Sequence, residues 1–249
     1  MAKPKKVRVA TGSGPVDHPV VPRAQWLKAR SALLKQEKAF AKLGDQLARR
    51  RRALPWVQVE KAYEFDGPGG PVTLAGLFGK RSQLIVYHFM FAPEWGAGCP
   101  HCSFWADHYD GPTLHLGQRD TAFAVISRAP IEKIEAFKKR MGWSFRWLSS
   151  AGSDFNYDFH VSFRPEEAAS KTVDYNYGKV PYEGSDKPGL SAFLRDGADV
   201  FHTYSTYERG LEFLISTYSY LDLTPLGRQE GDLSFPMAWV RHHDKYVAA

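Results

Sequence analysis

The chain has 249 residues, 43% of them hydrophobic, which is enough apolar material for one sizeable globular domain with extensions. Its formal net charge is +6, but residues 1–52 carry 14 Lys and Arg against 3 Asp and Glu, whereas the remaining residues carry 19 against 24. This mildly acidic body argues against a protein whose whole surface is built to bind nucleic acid.

The sequence also disfavours membrane and secreted proteins. No apolar run approaches the roughly 20 residues that a helix needs to cross a bilayer. The basic start lacks the apolar stretch of a secretory signal, so we expect a cytoplasmic protein that makes no membrane contact. Two cysteines, Cys99 and Cys102, cannot form a disulfide framework for a chain of this length, so we expect their role to be chemical.

The first 55 residues predict a tail followed by a basic helical arm. Residues 1–22 mix Pro, Gly, Lys and Val without periodicity and are predicted to be a disordered basic tail. Residues 23–55 form the arm, in which strong helix formers predict a helix to about Arg52. Its large apolar residues recur every seven positions in a narrow stripe suited to packing on a neighbour: Trp26, Leu33, Phe40, Leu47 and Leu54.

Three interpretations of this arm stay open. It packs on its own domain, or it clasps a second chain through the apolar stripe to form a homodimer. In the third interpretation it binds nucleic acid through its lysines and the arginine run at 49–52, and such binding would weaken steeply with salt. We favour nucleic-acid binding least of the three.

Residues 56–230 predict an α/β domain, followed by a C-terminal tail at 231–249 for which no element is predicted. The central feature is a continuous apolar run at 83–91, typical of a strand covered on both faces. A long loop insertion is expected near 155–187. The other predicted elements are a short helix at 74–78, a helix from the cysteines to Tyr109, a strand at 121–129, a helix at 131–142, a hairpin at 189–205 and a helix at 206–218. This order predicts a thioredoxin-like fold, a central mixed sheet flanked by helices.

The segment CPHC at 99–102 directly follows the apolar strand and begins a helix. With Cys99 at the helix start, unpaired N–H groups and the positive end of the helix dipole stabilise its thiolate, so its pKa falls. Cys102 lies one turn further on, within reach to form a disulfide with Cys99. Pro100 suits the first helical position. His101, when protonated, adds positive charge beside Cys99.

The cysteines are predicted to be a redox couple, and two other roles for them stay open. Half of a zinc site has the same spacing, but zinc needs two more ligands, and the chain has no second cysteine pair. No histidine pair has the usual ligand spacing beside the motif, so we expect no metal. Two inert buried thiols are the other possibility.

Several segments resemble a bacterial domain-of-unknown-function family of thioredoxin-like proteins that are described as predicted dithiol–disulfide oxidoreductases. These segments lie between about Pro22 and Glu230 and include LIVYHFMF, CPHCSFWADHYDG, ISRAP, KKRMGWSF and VFHTYSTYERG. The resemblance implies a redox-active Cys99–Cys102 disulfide, with Cys99 as nucleophile and Cys102 as resolving thiol. It implies no further cofactor, and a protein or small-molecule thiol or disulfide as the substrate.

Two alternative functions remain. The segment GKRSQLIVYHF is similar to the corresponding segment of peroxiredoxins, which suggests a thiol peroxidase. The chain does not match the peroxiredoxin pattern Pro-x-x-x-Thr-x-x-Cys, because Ala92 stands at the position of the proline and Gly96 at that of the threonine. The other alternative is a non-catalytic scaffold that keeps the fold and binds partners through the basic arm.

Three residues are predicted to contact the substrate. Trp95, just before the motif, is a candidate aromatic platform. Arg128 follows the second core strand, where the carboxyl edge of an open α/β sheet faces the site. The resemblance to thioredoxin-like proteins implies a cis-proline before the third core strand, and Pro188 occupies the matching place. A glycine follows it, so a trans turn proline stays open as the alternative.

Overall fold

A computed structural model describes residues 5–9 and 16–247 of the chain, which forms two compact units. The arm unit comprises residues 1–54 with 229–234, and the body comprises residues 55–228 with 235–249. The division after Leu54 falls beside the predicted start of the α/β domain. The described C-terminal residues from Phe235 onward belong to the body, which differs from the separate tail expected from the sequence.

The arm unit begins with a small hairpin. Strands β1 (Lys5–Val9) and β2 (Val16–Val20) pair in antiparallel fashion, with Lys5 opposite Val20. Part of the tail that we predicted to be disordered is therefore extended strand. Its residues 1–4 and 10–15 lie outside the described residues.

The arm helix α1 (Arg23–Arg52) has the bounds that its composition predicts. It begins after Pro22 and ends on four arginines, whose positive charge stabilises the carbonyl end of the helix. None of the side chains of α1 is buried within the described residues, and Phe40 in the apolar stripe is 77% exposed. Pairing of two chains through this stripe stays a prediction.

The body contains a mixed sheet and a separate two-stranded hairpin. Its strands are β3 (Val57–Gln58), β4 (Glu64–Gly67), β5 (Gly70–Thr73), β6 (Gln83–His88), β7 (Thr121–Ser127), β8 (Trp147–Ser149), β9 (Thr172–Tyr175), β10 (Gly178–Pro181), β11 (Gly189–Asp196) and β12 (Asp199–Tyr207). In the described residues the main sheet has the order β3-β12-β11-β6-β7-β8-β4-β5, and β9 pairs with β10 outside it.

Helices follow several of these strands. The α-helices of the body are α2 (Leu74–Leu77), α3 (Pro100–Ala106), α4 (Asp110–Gly117), α5 (Ile131–Arg140), α6 (Phe155–Asp158), α7 (Pro165–Ala169) and α8 (Ser216–Leu221). Two 3₁₀ helices occupy Glu208–Leu214 and His243–Lys245.

The thioredoxin-like fold predicted from the order of elements is confirmed. Strands β6 and β7 are parallel neighbours, as expected for strands joined by a crossover that contains α3. Strand β11 pairs antiparallel with β6, and β12 pairs antiparallel with β11. The central strand β6 therefore has a partner on each side, and residues 89–98 connect its carboxyl end to the cysteine motif.

A core lies on each face of β6 because successive side chains point to opposite sides of a sheet. Tyr87 belongs to the cluster that contains Cys102 and Val125. Leu84 and Val86 belong to the other cluster. This double burial explains why the sequence of β6 is a continuous apolar run rather than an alternating one.

Elsewhere the structure differs from the predicted elements in its short segments. The expected loop at 155–187 contains α6, α7 and the β9–β10 hairpin. The helix expected to run from the cysteines to Tyr109 ends at Ala106, and α4 begins at Asp110. The helix expected at 206–218 is a 3₁₀ helix followed by α8. Elements of only four to eight residues are too short for periodicity to reveal.

Candidate active site

Cys99 and Cys102 lie at the beginning of α3, just beyond the carboxyl end of β6. Cys99 is the residue directly before the helix, and Pro100 occupies its first position, where the missing N–H has no helical partner. Cys99 is partly buried and Cys102 is fully buried, and both are free thiols. The predicted placement of the pair at a helix N-terminus is confirmed.

Backbone hydrogen bonds fix both cysteines to Met90. The Cys99 N–H donates to the Met90 carbonyl at 3.0 Å, and the Met90 N–H donates to Cys102 Sγ at 3.4 Å. The Ser103 N–H and hydroxyl both donate to the Cys99 carbonyl at 2.9 Å. The extended chain that leaves β6 therefore holds the two cysteines in place.

The two thiols have opposite pKa shifts. A hydrogen bond from Cys102 holds the pKa of Cys99 well below its usual value, against the opposing effect of burial. His101 lowers the pKa of Cys99 further through a hydrogen bond and its positive charge. The hydrogen bond to Cys99 in turn raises the pKa of His101. The site therefore favours a Cys99 thiolate paired with a His101 imidazolium.

Cys102 is kept protonated by its surroundings. Burial raises the pKa of Cys102 well above its usual value, and the Cys99 thiolate beside it raises the pKa further. Contacts with Tyr87 and with the Met90 N–H oppose this rise. These surroundings therefore favour the thiolate form of Cys99 and the protonated form of Cys102.

The C-terminal segment 235–246 packs against this site. The Phe235 ring meets the His101 ring edge to face, with ring centroids 5.8 Å apart. His242 Nε2 donates to the Gly98 carbonyl at 2.8 Å, one residue before Cys99. Arg140 anchors the segment through two hydrogen bonds of 2.8 Å to the Asp244 carboxylate.

Residues 15–246 match a family described as "Bacterial protein of unknown function (DUF899)". The chain belongs to the DUF899 family. The match spans the arm helix, the cysteine motif and the C-terminal segment. No curated protein matches the sequence.

Solved structures similar to this DUF899 protein include two peroxiredoxin-type proteins. Peroxiredoxin Q from Xanthomonas campestris is 13% identical, with a TM-score of 0.42, over 63% of this chain and 90% of that one. Peroxidoxin BcpB from Mycobacterium tuberculosis is 16% identical, with a TM-score of 0.43, over 66% of this chain and 95% of that one. Likenesses this distant assign no residue of the DUF899 protein a role.

Trp95 lies in the loop between β6 and α3. It is partly buried and packs on the same core cluster as Cys99. Its backbone is fixed, because its N–H donates to the Ala92 carbonyl at 3.1 Å and its carbonyl accepts from Lys133 Nζ at 3.4 Å. The structure therefore brings Trp95 and Cys99 onto one cluster.

Pro188 directly precedes β11, at the sheet edge where β6 ends, because the next residue, Gly189, pairs with His88. The peptide bonds of the described residues are all trans, so Pro188 has the trans form, the second of the two forms that the sequence left open. The Pro188 carbonyl accepts a hydrogen bond from the Tyr175 hydroxyl at 2.6 Å. The β9–β10 hairpin, which sequence periodicity does not reveal, thus supplies a partner for this carbonyl.

Arg128 follows β7 at the same edge, as predicted, but its guanidinium is already engaged. It donates to both carboxylate oxygens of Asp186, at 2.9 and 2.6 Å, and to the Tyr157 hydroxyl at 3.1 Å. The side chains of Arg128 and Asp186 are only 12% and 2% exposed. We therefore propose that Arg128 holds the 155–187 segment in place and does not contact substrate.

The structure also adds residues that sequence reasoning missed. Tyr87, Met90 and the segment 235–246 all contact the cysteine motif. In the sequence, Tyr87 is marked only by its polar hydroxyl inside an apolar strand. The segment 235–246 is marked only by the adjacent pair His242 and His243. Neither signal indicates which distant residues it will meet.

Two further observations concern classes of site. In the part of the chain that the structure describes, no group of three or more His, Cys, Asp or Glu side chains is arranged to hold a metal ion. No helix among the described residues is long and apolar enough to cross a membrane.

Proposed function

We propose that this DUF899 protein is a thiol–disulfide oxidoreductase that exchanges electrons through Cys99 and Cys102. One observation carries the proposal: Cys99 stands directly before the first residue of α3, with Cys102 in the first turn of that helix. Cys102 and His101 also lower the pKa of Cys99. These contacts favour a thiolate next to a buried thiol one helical turn away. That is the arrangement that attack on a disulfide followed by intramolecular resolution requires.

The reaction proceeds in two exchange steps. The Cys99 thiolate attacks one sulfur of a substrate disulfide R–S–S–R′; a bond forms between Cys99 Sγ and the RS sulfur, and R′S⁻ leaves with the electron pair of the broken bond. Cys102 then loses its proton and attacks Cys99 Sγ, which releases RS⁻. The substrate has gained two electrons, and the protein holds a Cys99–Cys102 disulfide. A thiol-bearing protein or small molecule reduces this disulfide, and the reverse sequence oxidises a substrate dithiol.

The surroundings of the pair supply the remaining roles. The His101 imidazolium stabilises the Cys99 thiolate before attack and when it is released as a leaving group. Trp95 presents an aromatic surface on the same cluster as Cys99, and we propose that the substrate rests against it. These steps use side chains of the chain and an external thiol only, in the reducing cytoplasm that the sequence predicts.

A second candidate, thiol peroxidase activity, is favoured by the restricted access to Cys99. This residue is only partly exposed, and Phe235 and His242 pack against its sequence neighbours. A hydroperoxide is small enough to enter such a site. Its O–O bond would break under attack by the thiolate, releasing an alcohol after protonation and leaving a sulfenic acid on Cys99. Condensation with Cys102 would release water and give the same disulfide.

The first experiment is a redox titration of the native protein across ratios of reduced to oxidised glutathione, with free thiols counted by mass after alkylation. A reversible two-electron transition is expected in the wild type, and neither Cys99→Ser nor Cys102→Ser should show it. If both thiols are unreactive at pH 7 and no transition occurs, the enzyme proposal is wrong, and a non-catalytic scaffold is the better description.

A second experiment distinguishes the two candidate functions by comparing two oxidants. The reduced protein is mixed with a peptide disulfide or with hydrogen peroxide, and the rate of Cys99–Cys102 disulfide formation is measured in each case. The oxidoreductase proposal expects faster oxidation by the peptide disulfide at equal concentration. Faster oxidation by peroxide, with a sulfenic acid trapped in Cys102→Ser, would identify the peroxidase.

A further inference from the structure

Two buried tyrosines beside Cys102 take no part in the steps above. Tyr87, near the end of β6, has no exposed surface, and Tyr109, which follows α3, is 5% exposed. Their rings meet edge to face with centroids 5.1 Å apart. Within the described residues neither hydroxyl has a hydrogen-bond partner of regular geometry.

Tyr87 and Cys102 belong to the same buried core cluster. Burial raises the pKa of Tyr87 well above its usual value, and the neighbouring Cys102 raises it further. Burial likewise raises the pKa of Cys102, but here the contact with Tyr87 acts in the opposite direction. The Tyr87 hydroxyl therefore stabilises the thiolate form of Cys102.

A buried hydroxyl without a regular partner destabilises the resting protein, and a phenylalanine would fill the same space without that penalty. The hydroxyl gains a strong partner only when negative charge develops on Cys102, because hydrogen bonds to ionised acceptors are the strong ones. The Met90 N–H already points at the same sulfur, at 3.4 Å. One backbone donor is thus already in place on a sulfur that is neutral in the resting protein, and the buried Tyr87 hydroxyl lies in the same core cluster.

We propose that Tyr87 and the Met90 N–H form a donor pair that stabilises the Cys102 thiolate while the Cys99–Cys102 disulfide forms and breaks. This inference rests on the proposed thiol–disulfide function and adds a catalytic residue to it. The pair acts as preorganised donors do at a developing oxyanion, since it favours a charge that exists only during the reaction.

The step at which the pair acts is reduction of the protein by a dithiol. A thiolate of the dithiol attacks Cys99 Sγ, the Cys99–Cys102 bond breaks, and its electron pair goes to Cys102, which becomes a thiolate. Tyr87 donates a hydrogen bond to this thiolate but keeps its own proton, because burial holds the Tyr87 pKa well above its usual value. The proton that neutralises Cys102 comes from water or from the second thiol of the dithiol, which then displaces Cys99 from the mixed disulfide.

This role has a distinctive kinetic signature. The stable reduced state has a protonated Cys102, and the oxidised state has a disulfide, so neither carries the charge that Tyr87 stabilises. Loss of the hydroxyl should therefore slow formation and cleavage of the disulfide by the same factor. The redox midpoint at pH 7 should not change.

The test compares wild type with Tyr87→Phe, and uses Tyr63→Phe as the control, because Tyr63 is a buried tyrosine of the other core cluster. Cleavage of the protein disulfide by dithiothreitol and its formation with oxidised glutathione are followed by stopped flow at pH 7. Tyr87→Phe should slow both about 10- to 100-fold, the effect of losing one hydrogen bond to an ionised group. The control should keep the wild-type rates and midpoint.

The outcomes separate this inference from the function on which it rests. A wild-type protein without a reversible disulfide would overturn the proposed function itself. A wild type with a reversible disulfide, together with unchanged rates in Tyr87→Phe, would overturn only the role of Tyr87. Slowing in one direction with a displaced midpoint would also overturn it, since that indicates a change in a stable state. Should Tyr87→Phe not fold, 3-fluorotyrosine incorporated at position 87 is a stronger donor of nearly the same shape, and it must accelerate both directions.

Discussion

His242 donates a hydrogen bond from Nε2 to the carbonyl oxygen of Gly98 at 2.8 Å, across 144 positions of sequence. Its other ring nitrogen, Nδ1, accepts from Arg140 at 3.2 Å. The loop that presents Cys99 is therefore fixed by a residue close to the end of the chain.

Replacing His242 should loosen this loop. We expect His242→Ala to lower the free energy of unfolding by about 1 kcal/mol, the typical contribution of one hydrogen bond. Alkylation of Cys99 by iodoacetamide should become faster, because the C-terminal segment no longer holds the neighbouring carbonyl. His115→Ala, on the exposed side of α4, is the control. An unchanged alkylation rate in His242→Ala would show that the segment does not limit access to Cys99.

The reactivity of Cys99 should depend on pH through its contact with His101. The pKa of Cys99 is lower in the folded than in the unfolded protein. Its thiolate therefore adds its full contribution to the free energy of unfolding above the pKa of the unfolded thiol, and this contribution is lost as the pH falls through the folded pKa of Cys99. The pKa of His101 is raised, so its contribution is complete below the unfolded value and is lost as the pH rises through the folded value. Cys99 and His101 are therefore both charged only between the folded pKa of Cys99 and the folded pKa of His101.

This window predicts the alkylation profile. In the wild type, Cys99 should react at a nearly constant rate across neutral pH, whereas an ordinary thiol reacts about tenfold faster per pH unit below its pKa of about 8.5. In His101→Ala the pKa of Cys99 should rise, and the increase in rate should move to higher pH. Rates are measured in Cys102→Ser backgrounds as well, to identify the reacting thiol. Identical profiles with and without His101 would contradict the role assigned to it.

Close packing beside Cys99 leaves no room for a side chain at Gly98. A Cβ atom at this position would lie 2.6 Å from Phe89 Cε1 and 2.8 Å from Phe137 Cε1. We expect Gly98→Ala to lower the free energy of unfolding by about 1 to 3 kcal/mol, because both rings belong to the packed core. Gly96→Ala, in the same loop, is the matched control, since nothing lies within 4 Å of its added carbon. Urea unfolding measures both, and equal stabilities would refute the packing argument.

The Arg128–Asp186 pair should behave as a buried salt bridge. Asp186→Asn leaves the Arg128 charge buried without its partner and should lower the free energy of unfolding by about 3 kcal/mol. The double variant Arg128→Met with Asp186→Leu removes both charges and should recover most of that loss. It should also retain wild-type disulfide exchange, because Arg128 holds a segment of the body in place. A loss of exchange activity in a stably folded double variant would restore Arg128 as a substrate contact.

Several features followed from the sequence because they rest on local chemistry. The arm helix was predictable since helix formers fill Arg23–Arg52 without interruption. The central strand was predictable because burial on both faces requires an unbroken apolar run. The start of α3 was predictable because Pro100 and the cysteine spacing act within one helical turn. These properties depend on neighbours that lie only a few residues apart.

Only the tertiary structure decided which distant residues contact the two cysteines. The partners of Cys102 come from Tyr87 and Met90, and those of the Cys99 loop come from the C-terminal segment. The carboxyl edge of the sheet likewise brings Arg128 and Asp186 together across 58 positions in a buried ion pair that no local pattern indicates. Sequence patterns report the preferences of neighbouring residues. Burial and charge at a sulfur depend instead on which distant residues the folded chain places beside it, and that placement is a property of the whole fold.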